Sequence, residues 1–156
     1  MKKISALVIL SFFSLGSFSQ NTEILANNRE VYKAIETGDV SKLADYIDKD
    51  AVDHGGGANG QDVMGADSII AMLGNIHNSF TDLKMDVIAD AVNGDYLFTL
   101  VHMTGTTTAT PGMGLPPNKQ IDSKSVDVVK LKDGKAVEHW EFLDPKEMMA
   151  MMSSGK

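Results

Sequence analysis

The chain has 156 residues, of which 43% are hydrophobic, with 21 acidic against 14 basic residues and no cysteine. Its length supports one domain with its own hydrophobic core, and the absence of cysteine excludes both a disulfide and a lipid-attached cysteine. The formal net charge of −7 comes without a basic cluster and argues against nucleic acid as a partner, because such a surface repels phosphate backbones.

The first 19 residues have the three parts of a secretory signal peptide. Two lysines stand near the start, residues 4–13 form an apolar run, and residues 17–19 have the small-x-small pattern of a cleavage site before Gln20. The apolar run is too short to span a bilayer and no later apolar segment has membrane length, so we expect no stable membrane anchor. We therefore predict a secreted or periplasmic protein, with residues 1–19 as the signal peptide, cleavage near Gln20, and residues 20–156 as one domain.

Helical patterns dominate the next part of the chain. Apolar residues recur at helical spacing over residues 22–37, and Gly38 follows where a left-handed helix cap is expected, which predicts the first helix. Asp39 has the position of an N-cap for a short second helix. We interpret residues 48–50 as a turn and residues 51–54 as a brief extended piece.

A glycine-rich segment over residues 55–65 is too flexible for regular structure, and we interpret it as a mobile rim. It lacks the Gly-Lys-Ser/Thr pattern of a phosphate-binding loop. Residues 66–80 place apolar side chains on one helical stripe and predict a third helix. His77 lies beside this stripe, where a boundary histidine is favoured over a ligand.

Two alternating stretches, residues 83–92 and 96–107, flank an Asn-Gly dipeptide at residues 93–94, which is a strong hairpin signal. A two-residue turn at this dipeptide pairs Met85 with His102. The resulting face is apolar except for His102. Two interpretations of His102 stay open, a satisfied core histidine and a residue of a ligand pocket.

A second hairpin spans residues 121–144 and contains the densest set of titratable side chains. A bulged three-residue turn at residues 132–134 places Asp127 opposite His139, whereas a two-residue turn places Asp127 opposite Trp140. We predict the bulged turn. One face of the hairpin then has Ser125, Asp127, Val129, Val137, His139 and Glu141, and the other has Val126, Val128, Trp140 and Phe142.

The remaining segments complete an α+β pattern. The Gly/Pro-rich loop over residues 109–118 crosses the end of the sheet, and Pro145 opens a last short helix whose methionines we interpret as packing residues in preference to a copper(I) site. Helices followed by an antiparallel meander indicate an α+β domain with helices on one face of a curved sheet. The apolar hairpin face would be exposed in a monomer, so we expect a homodimer through it.

Family-like motifs are spread over nearly the whole mature chain. They are Gly65-Ala66-Asp67-Ser68-Ile69, Ile76 to Leu83, Gly105-Thr106, Met113 to Pro117, Asp127, Asp133-Gly134-Lys135 and Glu138-His139-Trp140. Together they resemble the SnoaL-like polyketide cyclase family, within the superfamily named after nuclear transport factor 2. The resemblance implies a cone-shaped α+β fold, often dimeric, with a pocket between the helices and the concave sheet. It implies no single reaction, because this fold hosts isomerases, aldol cyclases, epoxide hydrolases, dehydratases and non-catalytic members.

The resemblance also implies site residues. It places the family's catalytic carboxylate at Glu141, the partner of that carboxylate on the neighbouring strand at Asp127, and the polar residue after the second helix at Asp53. The cyclases have Asp at the first position and His at the second, so this chain differs at both. It also has Thr107 where the cyclases usually have a histidine after Gly-Thr.

Two carboxylates and a histidine on one pocket face are the groups that general acid–base catalysis uses, because one can take a proton while another delivers one. We predict Glu141, Asp127 and His139 as catalytic residues. We also predict that a small hydrophobic carbonyl compound is bound by Asp53, His54, His102 and Trp140. The chain has no nucleophile constellation and no metal-ligand spacing, so we expect no metal and no cofactor. Three interpretations stay open: a cofactor-free isomerase, cyclase or hydratase; a binding module without turnover; and a structural polar face with Trp140 and Phe142 inside.

The first testable expectation is that the mature protein begins at Gln20. N-terminal sequencing of protein from its native host measures this directly. Replacing the last small residue of the cleavage site, Ser19→Arg, should leave the signal peptide attached, because that site requires a small side chain. An intact Met1 on the wild-type mature protein would contradict export.

Overall fold

The chain forms helices on one side of a single curved sheet. The computed structural model describes residues 14–57, 60–109, 116–146 and 149, with side chains from residue 20 onward. Along the chain the elements are α1 (Ser14–Thr37), a 3-10 helix (Val40–Asp45), β1 (Ile47–His54), β2 (Val63–Met64), α2 (Ala66–Asn78), β3 (Phe80–Asn93), β4 (Tyr96–Thr107), β5 (Gln120–Lys132) and β6 (Lys135–Leu143). The predicted α+β fold class is confirmed.

The six strands make one open sheet in the order β2-β1-β6-β5-β4-β3. Neighbouring strands are antiparallel except β1 and β6, which run parallel. The meander β3 to β6 therefore receives β1 beside its last strand, and residues from the early and late parts of the chain meet at this junction.

Two clusters of buried side chains join the helices to the sheet. They consist of Ile35, Phe80, Leu83 and Ile121, and of Leu43, Ile47, Ala51 and Ile69. Val31 of α1 and Leu73 of α2 pack against both clusters, so the two helices close one continuous core. Each fully buried aliphatic or aromatic side chain contributes roughly 1.5–3 kcal/mol of burial free energy, which a chain without disulfides depends on.

The cap signals at Gly38 and Asp39 were correct, whereas the first helix begins before its predicted start at residue 22 and one turn prediction was wrong. Helix α1 ends at Thr37, Gly38 has a φ of 75°, and the carboxylate of Asp39 accepts a hydrogen bond from the Ser41 amide as an N-cap. The turn predicted at residues 48–50 is instead the middle of β1. That strand is continuous because both of its flanking apolar residues are buried in the core under α2.

The β3–β4 hairpin differs from its predicted register. Asn93 pairs with Tyr96, so the turn residues are Gly94 and Asp95, and an unpaired Ile88 shifts the register again further along β3. Met85 therefore pairs with Met103, and its predicted pairing with His102 is wrong. The extra residue in β3 is a β-bulge, which no local turn signal predicts.

The β5–β6 hairpin keeps the predicted faces with a different pairing. Its turn has two residues, Asp133 and Gly134, both at positive φ, and Val137 is unpaired as a separate bulge in β6. Asp127 consequently lies opposite Glu141, so the predicted pairing of Asp127 with His139 is wrong. A two-residue turn without the bulge would turn His139 to the other side of the sheet, because side chains alternate along a strand.

The outer face of the sheet bears a contiguous apolar surface, which we call the outer patch. Cross-strand neighbours on β4, β5 and β6 form it in two rows, Phe98 with Val128 and Trp140, and Leu100 with Val126 and Phe142. Phe142 is 58% exposed, whereas Asp127 on the opposite face is 8% exposed. The interpretation with Phe142 inside and the polar face outside is therefore wrong.

Three sequence predictions fall wholly or partly outside the described residues. These are the signal peptide, residues 110–115 of the Gly/Pro-rich loop, and most of the helix expected after Pro145. Helix α1 runs through the predicted cleavage position near Gln20. Within the described part of the chain, no helix has both the length and the apolar character to cross a membrane.

We expect the chain without residues 1–19 to be a homodimer, because a monomer would leave the outer patch open to water. Light scattering at micromolar concentration should give twice the chain mass. Phe142→Glu should yield a monomer, because it places a charge within the patch. Met64→Glu is a matched control, since Met64 is 70% exposed on β2 away from the patch. A monomeric wild type, or a dimer that persists in Phe142→Glu, would contradict this arrangement.

Candidate functional site

An apolar cavity of about 260 Å³ lies between the helices and the inner face of the sheet. Apolar side chains of α1, α2, β3 and β4 form most of its wall, among them Val31, Ile35, Leu73, Leu97 and Val101. The titratable side chains Asp53, Asp127, His139 and Glu141 line the cavity from the neighbouring strands β1, β5 and β6. The structure thus brings together all three predicted catalytic residues and one predicted binding residue.

Asp53 and His139 form an ion-paired hydrogen bond across the parallel junction of β1 and β6. The two residues are direct register partners, and His139 Nδ1 lies 2.7 Å from Asp53 Oδ2. Burial alone would lower the pKa of His139, but the hydrogen bond and the charge of Asp53, with the charges of Asp127 and Glu141, raise it above its usual value. The bond occupies Nδ1, so Nε2 is the ring nitrogen available to a ligand.

Gly56 fits against the Asp53 carboxylate because it has no side chain. A Cβ atom at this position would lie 2.2 Å from Asp53 Oδ1 and 3.1 Å from the sulfur of Met72. The glycine-rich segment thus supports the orientation of Asp53, a role that its composition alone did not predict.

Asp127 is buried on β5 and is held from the helix side by Tyr32. The Tyr32 hydroxyl donates to Asp127 Oδ2, and the Ser125 hydroxyl lies 3.4 Å from Asp127 Oδ1. Burial raises the pKa of Asp127, and the charge of Asp53 adds to the rise, while the contacts with Tyr32, His139 and Ser125 oppose it. Asp127 therefore holds a proton more readily than an aspartate in water.

Glu141 lies directly opposite Asp127 at the edge of the cavity. Much of the residue is open to solvent, although its carboxyl group faces the polar cluster. Partial burial and the charge of Asp127 raise the pKa of Glu141, with Asp53 adding and with Ser125 and His139 opposing. The like charge of Asp127, directly opposite on β5, contributes to this rise in addition to burial. The two carboxyl groups titrate as a coupled pair.

Three predicted binding residues lie outside this cavity. His54 and Trp140 stack on the outer face with ring centroids 4.8 Å apart, and the His54 ring contacts Asp62 and Glu138. His102 lies on the outer side of β4 with its Nε2 2.7 Å from Asp122 Oδ1. Side chains alternate between the two faces of a strand. His54, His102 and Trp140 each stand next to a residue that faces inward, so they face outward.

A second, open groove of about 510 Å³ runs between α2 and the segment from Gly38 to Val40. It is larger than the cavity but shallow, and it lies away from the carboxylate cluster. His77 lines it, with Nδ1 2.9 Å from the carbonyl oxygen of Glu36. The cavity between the helices and the sheet is the better candidate for the functional site, because it is less open than the groove and polar groups converge in it, as in ligand sites generally.

The sequence interpretation missed the polar residues on the helix side of the site. Asn28 and Tyr32 lie one helical turn apart on the buried face of α1, and Asn28 Nδ2 donates to Thr99 Oγ1 at 2.9 Å. Polar residues at i and i+4 on a buried helical stripe were the available signal. The apolar residues beside them dominated the pattern and hid it.

Among the described residues, no group of three or more His, Asp or Glu side chains is arranged to hold a metal ion. The carboxyl groups of Asp53 and Asp127 accept hydrogen bonds from other side chains, an arrangement that suits proton transfer.

An open curved sheet, helices over its inner face and an apolar cavity with acid–base groups on one wall define the cone-shaped α+β class named after nuclear transport factor 2. Within this class, the model of the SnoaL-like polyketide cyclase family matches residues 26–152, and the chain belongs to that family. No curated protein matches the chain significantly.

Solved structures share the fold at low sequence identity. A proposed SnoaL-like polyketide cyclase from Jannaschia sp. CCS1 is 20% identical, with a TM-score of 0.72 over 87% of this chain and 95% of that one. IdmH, a proposed polyketide cyclase from Streptomyces antibioticus, is 24% identical, with a TM-score of 0.64 over 85% and 97%. AclR, a proposed hydroxylase from Streptomyces galilaeus, is 20% identical, with a TM-score of 0.66 over 86% and 98%. These likenesses establish the fold.

Gly56→Ala should lower the pKa of His139, because a methyl group at this position displaces the Asp53 carboxylate that raises this pKa. Titration of the ring nitrogens by ¹⁵N NMR measures the shift. Asp53→Asn should change the pKa in the same direction, whereas Gly74→Ala should not, since the nearest atom to its added methyl would be 3.7 Å away on Val40. An unchanged pKa of His139 in both site variants would contradict the assigned pair.

Proposed function

We propose that the chain is an exported, cofactor-independent acid–base enzyme that binds a small hydrophobic carbonyl compound in the cavity. The observation that supports this best is the placement of Glu141, Asp127 and His139 together in a largely apolar cavity. Buried titratable groups are costly, so their convergence in a cavity favours a chemical role.

The cavity limits the size of the ligand. Its volume of about 260 Å³ is below the range of roughly 300–1,000 Å³ that is usual for drug-sized ligands. A molecule of one or two rings is the expected occupant. The apolar walls of α1, α2 and β4 would contact its hydrocarbon part and leave its polar atom at the carboxyl-rich end.

The arrangement suits proton transfer at a carbon next to a carbonyl group. Glu141 would take the proton, and Asp127 or His139 would donate one to the carbonyl oxygen. Glu141 occupies the place of the family's catalytic carboxylate, which supports its choice as the base. Isomerisation and aldol-type cyclisation begin with this step, and hydration of an enone ends with its reverse, so the proposal covers that group of reactions.

A non-catalytic binding module is the alternative, and two departures from the family favour it. Asp127 replaces the usual histidine, and Thr107 also stands where a histidine is usual. Thr107 is buried and its hydroxyl contacts the carbonyl oxygens of Pro116 and Lys119, so here it stabilises the loop after β4.

Exchange of the α protons of a ketone in heavy water separates the two functions. With α-tetralone or cyclohexanone as probe, the wild-type protein should accelerate exchange measured by ¹H NMR. Glu141→Gln should reduce this acceleration by roughly two to four orders of magnitude, because the amide cannot accept the proton. Its affinity for the probe, measured by chemical-shift titration, should change little.

Glu30→Gln is the matched control, since Glu30 is exposed on α1 and lies outside the cavity wall. It should leave exchange and binding unchanged. Binding without exchange in the wild type would favour the binding module. Equal exchange in wild type and Glu141→Gln would remove Glu141 as the base.

A further inference from the structure

A chain of buried polar groups connects α1 to the cavity carboxylates. Asn28 Nδ2 donates to Thr99 Oγ1 at 2.9 Å, and Tyr32 donates to Asp127 Oδ2. The Thr99 hydroxyl lies near the Tyr32 hydroxyl and opposes the rise in the pKa of Tyr32. All four residues are buried, with exposures from 1% to 8%. The chain is therefore shielded from the water that would otherwise reorient its hydroxyl groups.

The direction of this chain follows from the first donor. An amide nitrogen can only donate, so the Thr99 hydroxyl accepts from Asn28 and has its own hydrogen left for Tyr32. Burial, followed by the negative charge of Asp127, raises the pKa of Tyr32, so the phenol keeps its hydrogen and donates it onward. Asp127 Oδ2 is consequently an acceptor.

We propose that Tyr32 is a positioning residue that keeps Asp127 Oδ2 as an acceptor, so that the acid proton of Asp127 resides on Oδ1 and Asp127 acts as the proton donor to the ligand, with Glu141 as the base. This division of labour rests on the proposed function of the same cavity. It assigns the roles of acid and base to Asp127 and Glu141, and it names Tyr32 as the residue that determines this assignment.

The surroundings of Asp127 agree with this assignment. The groups that face it are Tyr32 on α1, Thr99 on β4, Ser125 on β5, His139 and Glu141 on β6, and Asp53 on β1. The Ser125 hydroxyl is 3.4 Å from Oδ1, at the long limit of a hydrogen bond, and it can turn to accept instead of donate. Oδ1 can therefore hold a proton.

Burial separates the roles of the two opposed carboxyl groups. Asp127 is 8% exposed, whereas Glu141 is at the open edge, where water stabilises its charge. Two like charges on directly opposite residues repel, so the pair favours a state with one proton. The more buried partner, Asp127, keeps that proton.

The resulting step is balanced. The Glu141 carboxylate takes the α proton, the electron pair of the broken C–H bond forms the C=C bond of an enol, and the carbonyl oxygen receives the proton from Asp127 Oδ1. Afterwards Glu141 is the acid and Asp127 the carboxylate. The reverse transfers return both protons when the ketone re-forms.

Tyr32→Phe tests the proposal without any ligand. The lost hydrogen bond favours the ionised carboxylate, so the apparent pKa of Asp127, followed by ¹³C NMR of its carboxyl carbon, should rise. Thr99→Val removes the polar neighbour of the Tyr32 hydroxyl and should produce a smaller rise in the same direction. Tyr96→Phe is the matched control, since Tyr96 is exposed on the outer side of β4, and should leave the pKa unchanged. An unmoved pKa in Tyr32→Phe would overturn the positioning role.

The pH profile of ketone exchange then tests the assignment of roles. If Asp127 is the donor, activity falls as pH rises through its pKa, and Tyr32→Phe should move this falling limb to higher pH. Movement of the rising limb instead would make Asp127 the base and overturn the assignment. A lower melting temperature with an unmoved profile would show a purely structural Tyr32. If the wild type shows no exchange, the proposed function fails, while the carboxyl titration still decides whether Tyr32 positions Asp127.

Discussion

The hydrogen bond between Asp53 and His139 joins the two parts of the chain that make the site. It crosses the parallel junction of β1 and β6, where the early helices and strand meet the late meander. Burying either group alone would be costly, but the pair offsets most of that cost through its opposite charges. The histidine also reduces the repulsion among three carboxyl groups on one wall. The position of β1 in the sheet and the electrostatics of the cavity therefore depend on the same contact.

The remaining carboxyl groups are stabilised from the helix side and from water. Asp127 receives its hydrogen bond from α1, which also contributes the apolar Ile24, Val31 and Ile35 to the cavity. Helix α1 therefore both covers the core and forms part of the site. Glu141 is stabilised by its position at the rim. The two solutions differ because a buried carboxyl group needs a protein donor, whereas one at the edge can use solvent. The cavity thus contains one buried carboxyl group and one that contacts water, on adjacent strands.

The fold and the inward-facing carboxyl groups could be predicted because both depend on local periodicity. Alternation placed His139 and Glu141 on one face of β6, and the predicted bulge added Asp127 to that face. The helical stripe of α2 showed which side that helix buries. The exact strand pairings could not be predicted, because the bulges at Ile88 and Val137 have no turn signal. The contacts of Tyr32 with Asp127 and of His139 with Asp53 could not be predicted from local patterns either, since they join residues far apart in sequence. His102 was misplaced because it shares a face of β4 with the exposed Phe98, whereas Leu97 and Val101 on the other face line the cavity.

The unpaired Val137 has a consequence for how such proteins diverge. If Val137 were paired with Lys130, every later residue of β6 would move by one position, so that Trp140 would face the cavity and His139 would face outward. Deletion of Val137 would instead leave the observed pairs in place, because the ladder is regular on both sides of it. The same side chains of β6 can therefore form an acid–base wall or an aromatic wall, and the bulge decides which. In a family whose members share a fold but differ in chemistry, the presence of a bulge is heritable information about function.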